Sequence, residues 1–256
     1  MTVDADDAAR AVTATWEGLF ELLGAGWFER RAGAVAGVTG IPIAMFNGVW
    51  AEATAPAAAT VGQLLDRVRA SDLPYCAQLR PGTPDDVIAE VAGRGLLLVT
   101  DMPLMVLEDT GRLARAQRVE GLAVRRLPPH ELSVHLGLVS DAFGLDKAVF
   151  AEVFTPETLE RPEVRCYVGE SQGEAVTTGL GVRLRDFIGV FNIATAAEKR
   201  RRGFAAAITA RIVADGVRDG AGWAWLQSSP AGYGVYEALG FETRERWDCW
   251  VTPPSP

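Results

Sequence analysis

The chain has 256 residues, a formal net charge of -8 at pH 7, 48% hydrophobic residues and 23% charged residues. This length allows one large or two modest domains. The composition is that of a globular protein with a buried core, which argues against wholesale disorder. The acidic balance argues against a nucleic-acid partner, because phosphate binding needs a concentrated basic surface. The same balance would favour the approach of a cationic substrate.

The cysteines, the histidines and the amino terminus exclude several further classes. Cys76, Cys166 and Cys249 are odd in number and far apart, so they predict free thiols and not a disulfide framework or a metal site. His130 and His135 do not share a helix face, so no metal pair is predicted. The start of the chain is acidic, unlike a secretory signal, and no apolar stretch reaches the roughly 18 residues of a membrane span. We therefore expect a cytoplasmic protein with no membrane partner.

The amino-terminal part of the chain alternates between helical and extended patterns. Residues 6–30 predict one or two amphipathic helices, and residues 35–49 predict strands joined by a turn. Thr60 is the expected N-cap of a second helix, and Thr83 with Pro84 is expected to begin a third. These patterns predict an α/β domain.

Residues 108–120 are polar and lack apolar periodicity, so they predict a linker between two domains, 1–115 and 121–256. The second domain is expected to be α/β, with a mixed sheet that carries helices on its faces. Its predicted strands are 122–126, 164–170, 175–182, 187–195, 223–227 and 242–251, and its predicted helices lie after Pro128 and Pro129 to Phe143 and at 147–154, 204–219 and 231–239.

The stretch from Phe191 to Val213 carries the clearest chemical signal. A strand leads into a loop that holds three consecutive arginines, Arg200 to Arg202, and then Gly203, where an apolar-periodic helix begins. A helix amino terminus has unpaired N–H groups and partial positive charge, and glycine lets an anion approach the backbone closely. Arginines at that end oppose the helix dipole unless an anion is bound. A phosphate or diphosphate site is therefore favoured over a solvated basic helix start.

Two motifs resemble those of one enzyme family. The segment Arg200 to Ala205 fits the R/Q-x-x-G-x-G/A signature of the GNAT acyltransferases, and the segment Tyr236 to Phe241 is similar to their Y-x-x-L-G-F segment. From about Gly121 onward, the chain resembles this family. The resemblance implies the GNAT fold and acetyl-CoA as co-substrate. It also implies transfer of an acetyl or short acyl group to the primary amine of a small molecule or peptide, by direct attack on the thioester.

The resemblance also implies roles for individual residues. Tyr236 would protonate the leaving thiolate, although it could instead be a structural tyrosine, with Tyr233 as a nearby competitor. The general base stays open between Asp186, Glu174 and a water relay. Ala197 and Ser229 depart from the proline and asparagine that many relatives have. The expected cofactor-binding residues are Asn192, Ile193, Ala194, Thr195, Arg200, Arg201, Arg202, Gly203, Phe204, Ala205 and Ser229.

The amino-terminal half is interpreted as a degenerate GNAT copy, which would make the protein a tandem. It has no segment like R-x-x-G-x-A, so it is not expected to bind coenzyme A. A second hypothesis for the whole chain is a non-catalytic acyl-CoA-binding sensor or partner protein. A third is a scaffold that forms a homodimer through its aromatic carboxy-terminal strand.

Overall fold

The computed structural model describes residues 2–23, 26–115 and 119–253. They form two compact units. The amino-terminal unit contains the described residues of 3–104 and 243–253, and the carboxy-terminal unit contains those of 105–242 together with Thr2. These units differ from the expected ranges 1–115 and 121–256, because the chain changes unit inside two strands, at Leu104 and at Glu242.

Helices and strands alternate along the described chain, with short 3-10 turns at Ala44–Phe46, Thr110–Arg115, Pro129–Glu131 and Ala197–Lys199. No helix of these ranges is long and apolar enough to cross a bilayer. The elements are α1 (Ala5–Leu23), β1 (Trp27–Arg31), β2 (Ala34–Val38), β3 (Asn47–Ala51), α2 (Ala58–Arg69), β4 (Cys76–Leu79), α3 (Asp85–Ala92), β5 (Leu97–Leu107), β6 (Ala123–Arg126), α4 (Leu132–Phe143), α5 (Lys147–Val153), α6 (Pro156–Glu160), β7 (Val164–Ser171), β8 (Glu174–Leu184), β9 (Phe187–Thr195), α7 (Phe204–Arg218), β10 (Trp223–Gln227), α8 (Tyr233–Ala238) and β11 (Glu242–Val251).

The two units repeat one strand pattern. In the amino-terminal unit β1, β2 and β3 pair antiparallel, and β3 then pairs parallel with β4 after the crossover helix α2. In the carboxy-terminal unit β7, β8 and β9 pair antiparallel, and β9 pairs parallel with β10 after α7. Strand β6 adds one more antiparallel pair beside β7. The predicted mixed sheet with helices is confirmed in the carboxy-terminal unit, and the amino-terminal unit has the same order of elements.

Several expectations for the amino-terminal unit are wrong in detail. The helix predicted within 6–30 ends at Leu23, and Trp27–Arg31 is a strand, because its backbone pairs with β2. Thr60 lies inside α2, whose N-cap is Ala57. Thr83 turns its hydroxyl back to the carbonyl of Arg80, so Pro84 occupies the cap position of α3. In the carboxy-terminal unit, the short helix α6 was not predicted.

A buried ion pair joins the ends of strands in the amino-terminal unit. The Arg80 side chain is 2% exposed and donates to both carboxylate oxygens of Glu245, at 2.9 and 2.8 Å. It also donates to the main-chain oxygen of Glu52, which follows β3, at 2.6 Å. Asp6 approaches the same guanidinium at 2.7 Å. Arg80 therefore ties the end of β4 to the end of β3.

Replacing Glu245 with alanine is expected to lower the free energy of unfolding by about 3 kcal/mol, because the buried Arg80 charge loses its bidentate partner. Urea denaturation measures the change. The matched control is Arg246→Ala, which breaks the half-exposed pair between Arg246 and Asp101 and should cost no more than about 1 kcal/mol. Equal losses in the two variants would contradict a structural role for the buried pair.

Opposite faces of β8 contact different helices in the carboxy-terminal unit. A Cβ atom at Gly181 would lie 2.7 Å from Cγ2 of Ile212, which is on α7. Thr178, on the other face by strand alternation, is hydrogen bonded to His135 of α4. The sheet of this unit is therefore covered by α7 on one face and by α4 on the other.

Candidate active site

The loop between β9 and α7 is exposed and partly left-handed. Arg200, Arg201, Arg202 and Gly203 are all exposed, and the φ angles of Arg201 and Gly203 are 59° and 80°. The Arg200 Nε atom donates to the main-chain oxygen of Thr195 at 3.2 Å, which holds the loop against the end of β9. Successive N–H groups in a turn that contains left-handed residues can line a concave anion site.

The first turn of α7 adds further unpaired donors to this loop. Among the described residues no side chain caps the helix, and its first internal hydrogen bond runs from the N–H of Ala207 to the oxygen of Gly203, at 3.0 Å. The N–H groups of Phe204, Ala205 and Ala206 therefore have no acceptor within the helix. The Arg202 guanidinium lies over the Phe204 ring, 4.8 Å from its centre, and adds positive charge there. Unpaired amides and arginines meet at one exposed end of a 15-residue helix.

The parallel strands β9 and β10 separate close to this loop. Their register runs from Trp223 opposite Phe187 to Trp225 opposite Gly189. Beyond that last pair, β9 continues to Thr195 and β10 to Gln227. The two strands therefore no longer pair beyond Gly189 and Trp225, and the space between their ends is called the β9–β10 opening, with its vertex at this pair. In the amino-terminal unit the equivalent pair, β3 and β4, stays in register to Trp50 and Gln78, one residue before each strand ends.

A bulge in β9 lies inside this opening. The register between β8 and β9 shifts between Thr178 and Leu180, so one residue of β8 faces both Asn192 and Ile193. Asn192 has a φ angle of 53°, which is rare outside glycine. A bulge re-aims the backbone and leaves an extra residue unpaired. Main-chain groups of β9 are therefore available to a ligand at this point of the opening.

Tyr236 lies on α8, the helix that follows β10. Its ring packs edge-on against Phe241, with ring centres 6.0 Å apart, and a Cβ atom at Gly232 would approach it to 3.0 Å. Burial raises the pKa of the Tyr236 phenol to about 12, so the hydroxyl carries its proton at neutral pH. Within the described chain this hydroxyl has no hydrogen-bond partner. It is a fixed, protonated group with a free proton to donate.

Comparison with solved structures identifies this architecture. A GCN5-related N-acetyltransferase from Kribbella flavida superposes with a TM-score of 0.75 over 99% of this chain and 98% of that chain, at 21% identity. This chain has the GNAT fold. A GCN5-related N-acetyltransferase from Sphaerobacter thermophilus is similar over 96% of this chain and 86% of its own, with a TM-score of 0.60 and 15% identity.

A tandem GNAT protein is also similar to the whole chain. It comes from the clavulanic acid biosynthesis pathway and matches 100% of this chain and 98% of its own, with a TM-score of 0.58 and 13% identity. No protein-family model matches the sequence. No curated protein matches it either. The likeness therefore lies in the fold, and the repeated strand pattern of the two units agrees with a tandem GNAT arrangement.

Neither carboxylate named from the sequence as a general base lies at the β9 bulge, and Ser229 lies at the start of α8. The Ser229 hydroxyl accepts a hydrogen bond from the N–H of Gly232 at 3.2 Å and so helps to begin α8. Glu174 is exposed at the start of β8 and pairs with Lys199 at 3.4 Å. Asp186 precedes β9 at the opposite end from Thr195, roughly 30 Å along the strand. Neither carboxylate adjoins the bulge.

No role was predicted for His135, which lies inside the carboxy-terminal unit. It is fully buried on α4, and its Nδ1 atom lies 2.7 Å from the Thr178 hydroxyl, which itself donates to the main-chain oxygen of Tyr167 at 2.8 Å. Nδ1 must therefore carry the proton, and the other ring nitrogen, Nε2, has no hydrogen-bond partner among the described residues. Burial lowers the pKa of His135 to about 4, so the ring is neutral at neutral pH.

The buried His135 is expected to make the protein less stable as the pH falls from about 6.5 to about 4. Over that interval the unfolded chain gains a proton at His135, whereas the folded protein resists protonation until its pKa of about 4. The difference is worth roughly 3 kcal/mol. Urea denaturation of the wild type and His135→Gln at both pH values measures it. His130, which is exposed, provides the control His130→Gln. If the free energy of unfolding falls equally in the wild type and in His135→Gln between the two pH values, the pH effect does not come from a buried, neutral His135.

Proposed function

We propose that the protein is an acyl-CoA-dependent N-acyltransferase that transfers an acetyl or short acyl group to a primary amine of a small molecule or peptide. The observation that carries this proposal is the exposed loop from Arg200 to Gly203. This loop and the uncapped start of α7 follow β9, which no longer pairs with β10 beyond Gly189. Coenzyme A has a diphosphate attached to a long pantetheine arm. An anion site next to the β9–β10 opening fits both parts of that molecule.

In this proposal the diphosphate binds at the start of α7. The N–H groups of Gly203, Phe204 and Ala205 donate to its oxygens, and the dipole of α7 favours its negative charge. Arg201 and Arg202 add charge-assisted donors from the exposed loop, while Arg200 holds the loop to Thr195. Three consecutive arginines thus lie at the proposed diphosphate site of a protein whose formal net charge is -8.

The pantetheine arm then lies in the opening between β9 and β10, with the thioester at the β9 bulge. There the main chain from Asn192 to Thr195 has left the β10 register and can bond to the amides of the arm. Ser229, at the start of α8, lies on the opposite strand's side of the same opening. Extended main-chain recognition of this kind positions the thioester without needing a particular side chain.

The chemistry is direct transfer. The neutral amine nitrogen attacks the carbonyl carbon, the new C–N bond forms, and the C–S bond breaks. Tyr236 donates its proton to the departing thiolate, the proton of the newly formed ammonium leaves to water, and Tyr236 regains a proton from solvent. Because Glu174 pairs with Lys199 and Asp186 lies at the far end of β9, a water relay is the base that the geometry favours.

The amino-terminal unit is proposed to bind no coenzyme A. Its strands β3 and β4 remain paired almost to their ends, and Arg80 closes the gap beyond them through the Glu52 oxygen and Glu245. The helix that follows β3, α2, begins after alanine and has no arginine in its first turn. This half of the tandem is degenerate in its ligand site.

A non-catalytic acyl-CoA-binding protein is the second candidate. The observation in its favour is that neither carboxylate considered as the base lies at the β9 bulge. The two candidates differ in one measurable product. An enzyme releases free coenzyme A thiol when a suitable amine is added, whereas a binding protein releases none.

Gly203→Glu is expected to abolish acetyl-CoA binding in isothermal titration calorimetry. The φ angle of 80° strains any side chain there, a Cβ atom would lie 3.3 Å from Val119, and the new carboxylate repels the diphosphate. Gly220→Glu is the matched control, since Gly220 also has a positive φ, 103°, but lies beyond the other end of α7. Unchanged affinity of Gly203→Glu for acetyl-CoA would contradict the proposed diphosphate site.

Tyr236→Phe is expected to lower kcat by about 100-fold or more while KM for acetyl-CoA changes little, because the variant loses only the proton donor. Thiol release against a panel of primary amines provides the readout, and Tyr233→Phe on the same helix is the control. A parallel loss of kcat and affinity would argue against the acid role. If the wild type binds acetyl-CoA but releases no thiol with any amine, the binding-protein candidate replaces the enzyme.

A further inference from the structure

Two phenylalanine–tryptophan pairs lie along one face of strands β9 and β10. Phe187 packs against Trp223, with ring centres 5.3 Å apart, in the part where the two strands are paired. Phe191 packs edge-on against Trp225, with ring centres 5.3 Å apart and an interplanar angle of 90°. Trp225 forms the last pair of the two strands with Gly189. The second aromatic pair therefore lies at the vertex of the β9–β10 opening.

The absence of a side chain at Gly189 leaves room for both rings at the vertex. A Cβ atom at Gly189 would lie 2.6 Å from Cε2 of Phe191 and 3.2 Å from Cε2 of Trp225. The Phe191 ring is therefore folded back over Gly189, toward the vertex and against the indole. The two rings close this face of the sheet at the point where the strands part.

The other face of the sheet is already filled beside the bulge. A Cβ atom at Gly179 of β8 would lie 2.4 Å from Cδ1 of Ile193 and 2.9 Å from Cδ1 of Ile212, which is on α7. Leu226, next to Trp225 on β10, belongs to the same apolar cluster as Ile212. Strand alternation places Trp225, and the ring packed against it, on the opposite face. A group attached to a thioester at the bulge is therefore left with the face that carries the two aromatic rings.

Exposure distinguishes the aromatic pair at the vertex from the other pair. Phe187 and Trp223 are 3% and 4% exposed, as expected of rings that serve core packing alone. In the second pair Trp225 is 2% exposed, but Phe191 is only half-buried. Part of the Phe191 ring therefore faces space that the protein leaves open, beside the bulge that begins at the next residue.

We propose that the rings of Phe191 and Trp225 limit the acyl group of the bound thioester to the size of an acetyl or propionyl group. This inference rests on the proposed acyltransferase function and specifies its acyl donor. A longer acyl chain on this face would have to displace the Phe191 ring, which is packed over Gly189 and against Trp225. Forcing extra methylene groups into a packed contact is unfavourable, so thioesters of longer acids are expected to bind more weakly.

The test compares acetyl-CoA with hexanoyl-CoA by isothermal titration calorimetry on the full chain, with free coenzyme A as the reference ligand. The wild type is expected to bind acetyl-CoA about tenfold or more tightly than hexanoyl-CoA, because a closed pocket rejects additional methylene groups. Phe191→Ala removes the ring and is expected to lower that preference by about tenfold. Phe187→Ala is the matched control, since it removes the same kind of aromatic contact on the same strand and face. It should keep the wild-type preference.

The outcomes separate this inference from the function on which it rests. If the wild type binds neither coenzyme A nor acetyl-CoA, the proposed function fails and the inference fails with it. If the wild type binds acetyl-CoA and hexanoyl-CoA equally well, or if Phe191→Ala keeps the wild-type preference, the rings do not limit the acyl group and the proposed function stands without the inference. Phe191→Leu, a milder truncation, carries the test if Phe191→Ala does not fold, which near-ultraviolet circular dichroism shows directly.

Discussion

The attraction between an anion and unpaired backbone N–H groups at the start of α7 is the interaction on which the proposed site depends. The loop contains the left-handed residues Arg201 and Gly203, its residues from Arg200 to Gly203 are exposed, and no side chain of the described residues caps the helix. The arginines there would weaken the helix in isolation, since cations oppose its dipole. In the proposed complex, a bound diphosphate would offset that cost at the start of α7.

The contrast between the two units shows what this site requires. Both units place a helix between two parallel strands. In the amino-terminal unit, Arg80 bridges the strand ends and its charge is satisfied inside the protein by Glu245. In the carboxy-terminal unit, the strands diverge after Gly189 and the arginines remain exposed at the loop. Arg80 stabilises the amino-terminal unit internally, whereas the exposed arginines of the carboxy-terminal unit are proposed to bind a ligand.

Local sequence patterns predicted most elements of the carboxy-terminal unit. Strand β10 and the start of α7 at Phe204 follow from apolar periodicity and from the glycine that precedes the helix. The β9 bulge at Asn192 was not predictable, because its register depends on pairing with β8. The caps of α2 and α3 were wrong because Thr60 and Thr83 have other positions in the folded chain. The buried neutral state of His135 likewise depends on Thr178, which is distant in sequence.

The most direct measurement of anion binding at the start of α7 is a titration of isotopically labelled protein with coenzyme A, followed through the backbone amide resonances of the protein. Hydrogen bonds to a diphosphate should shift the amide protons of Gly203, Phe204 and Ala205 downfield as the ligand saturates. The amides at the start of α2 in the amino-terminal unit should stay unchanged. Saturable binding that leaves the Gly203 to Ala205 resonances in place would contradict the site and the transferase function proposed from it.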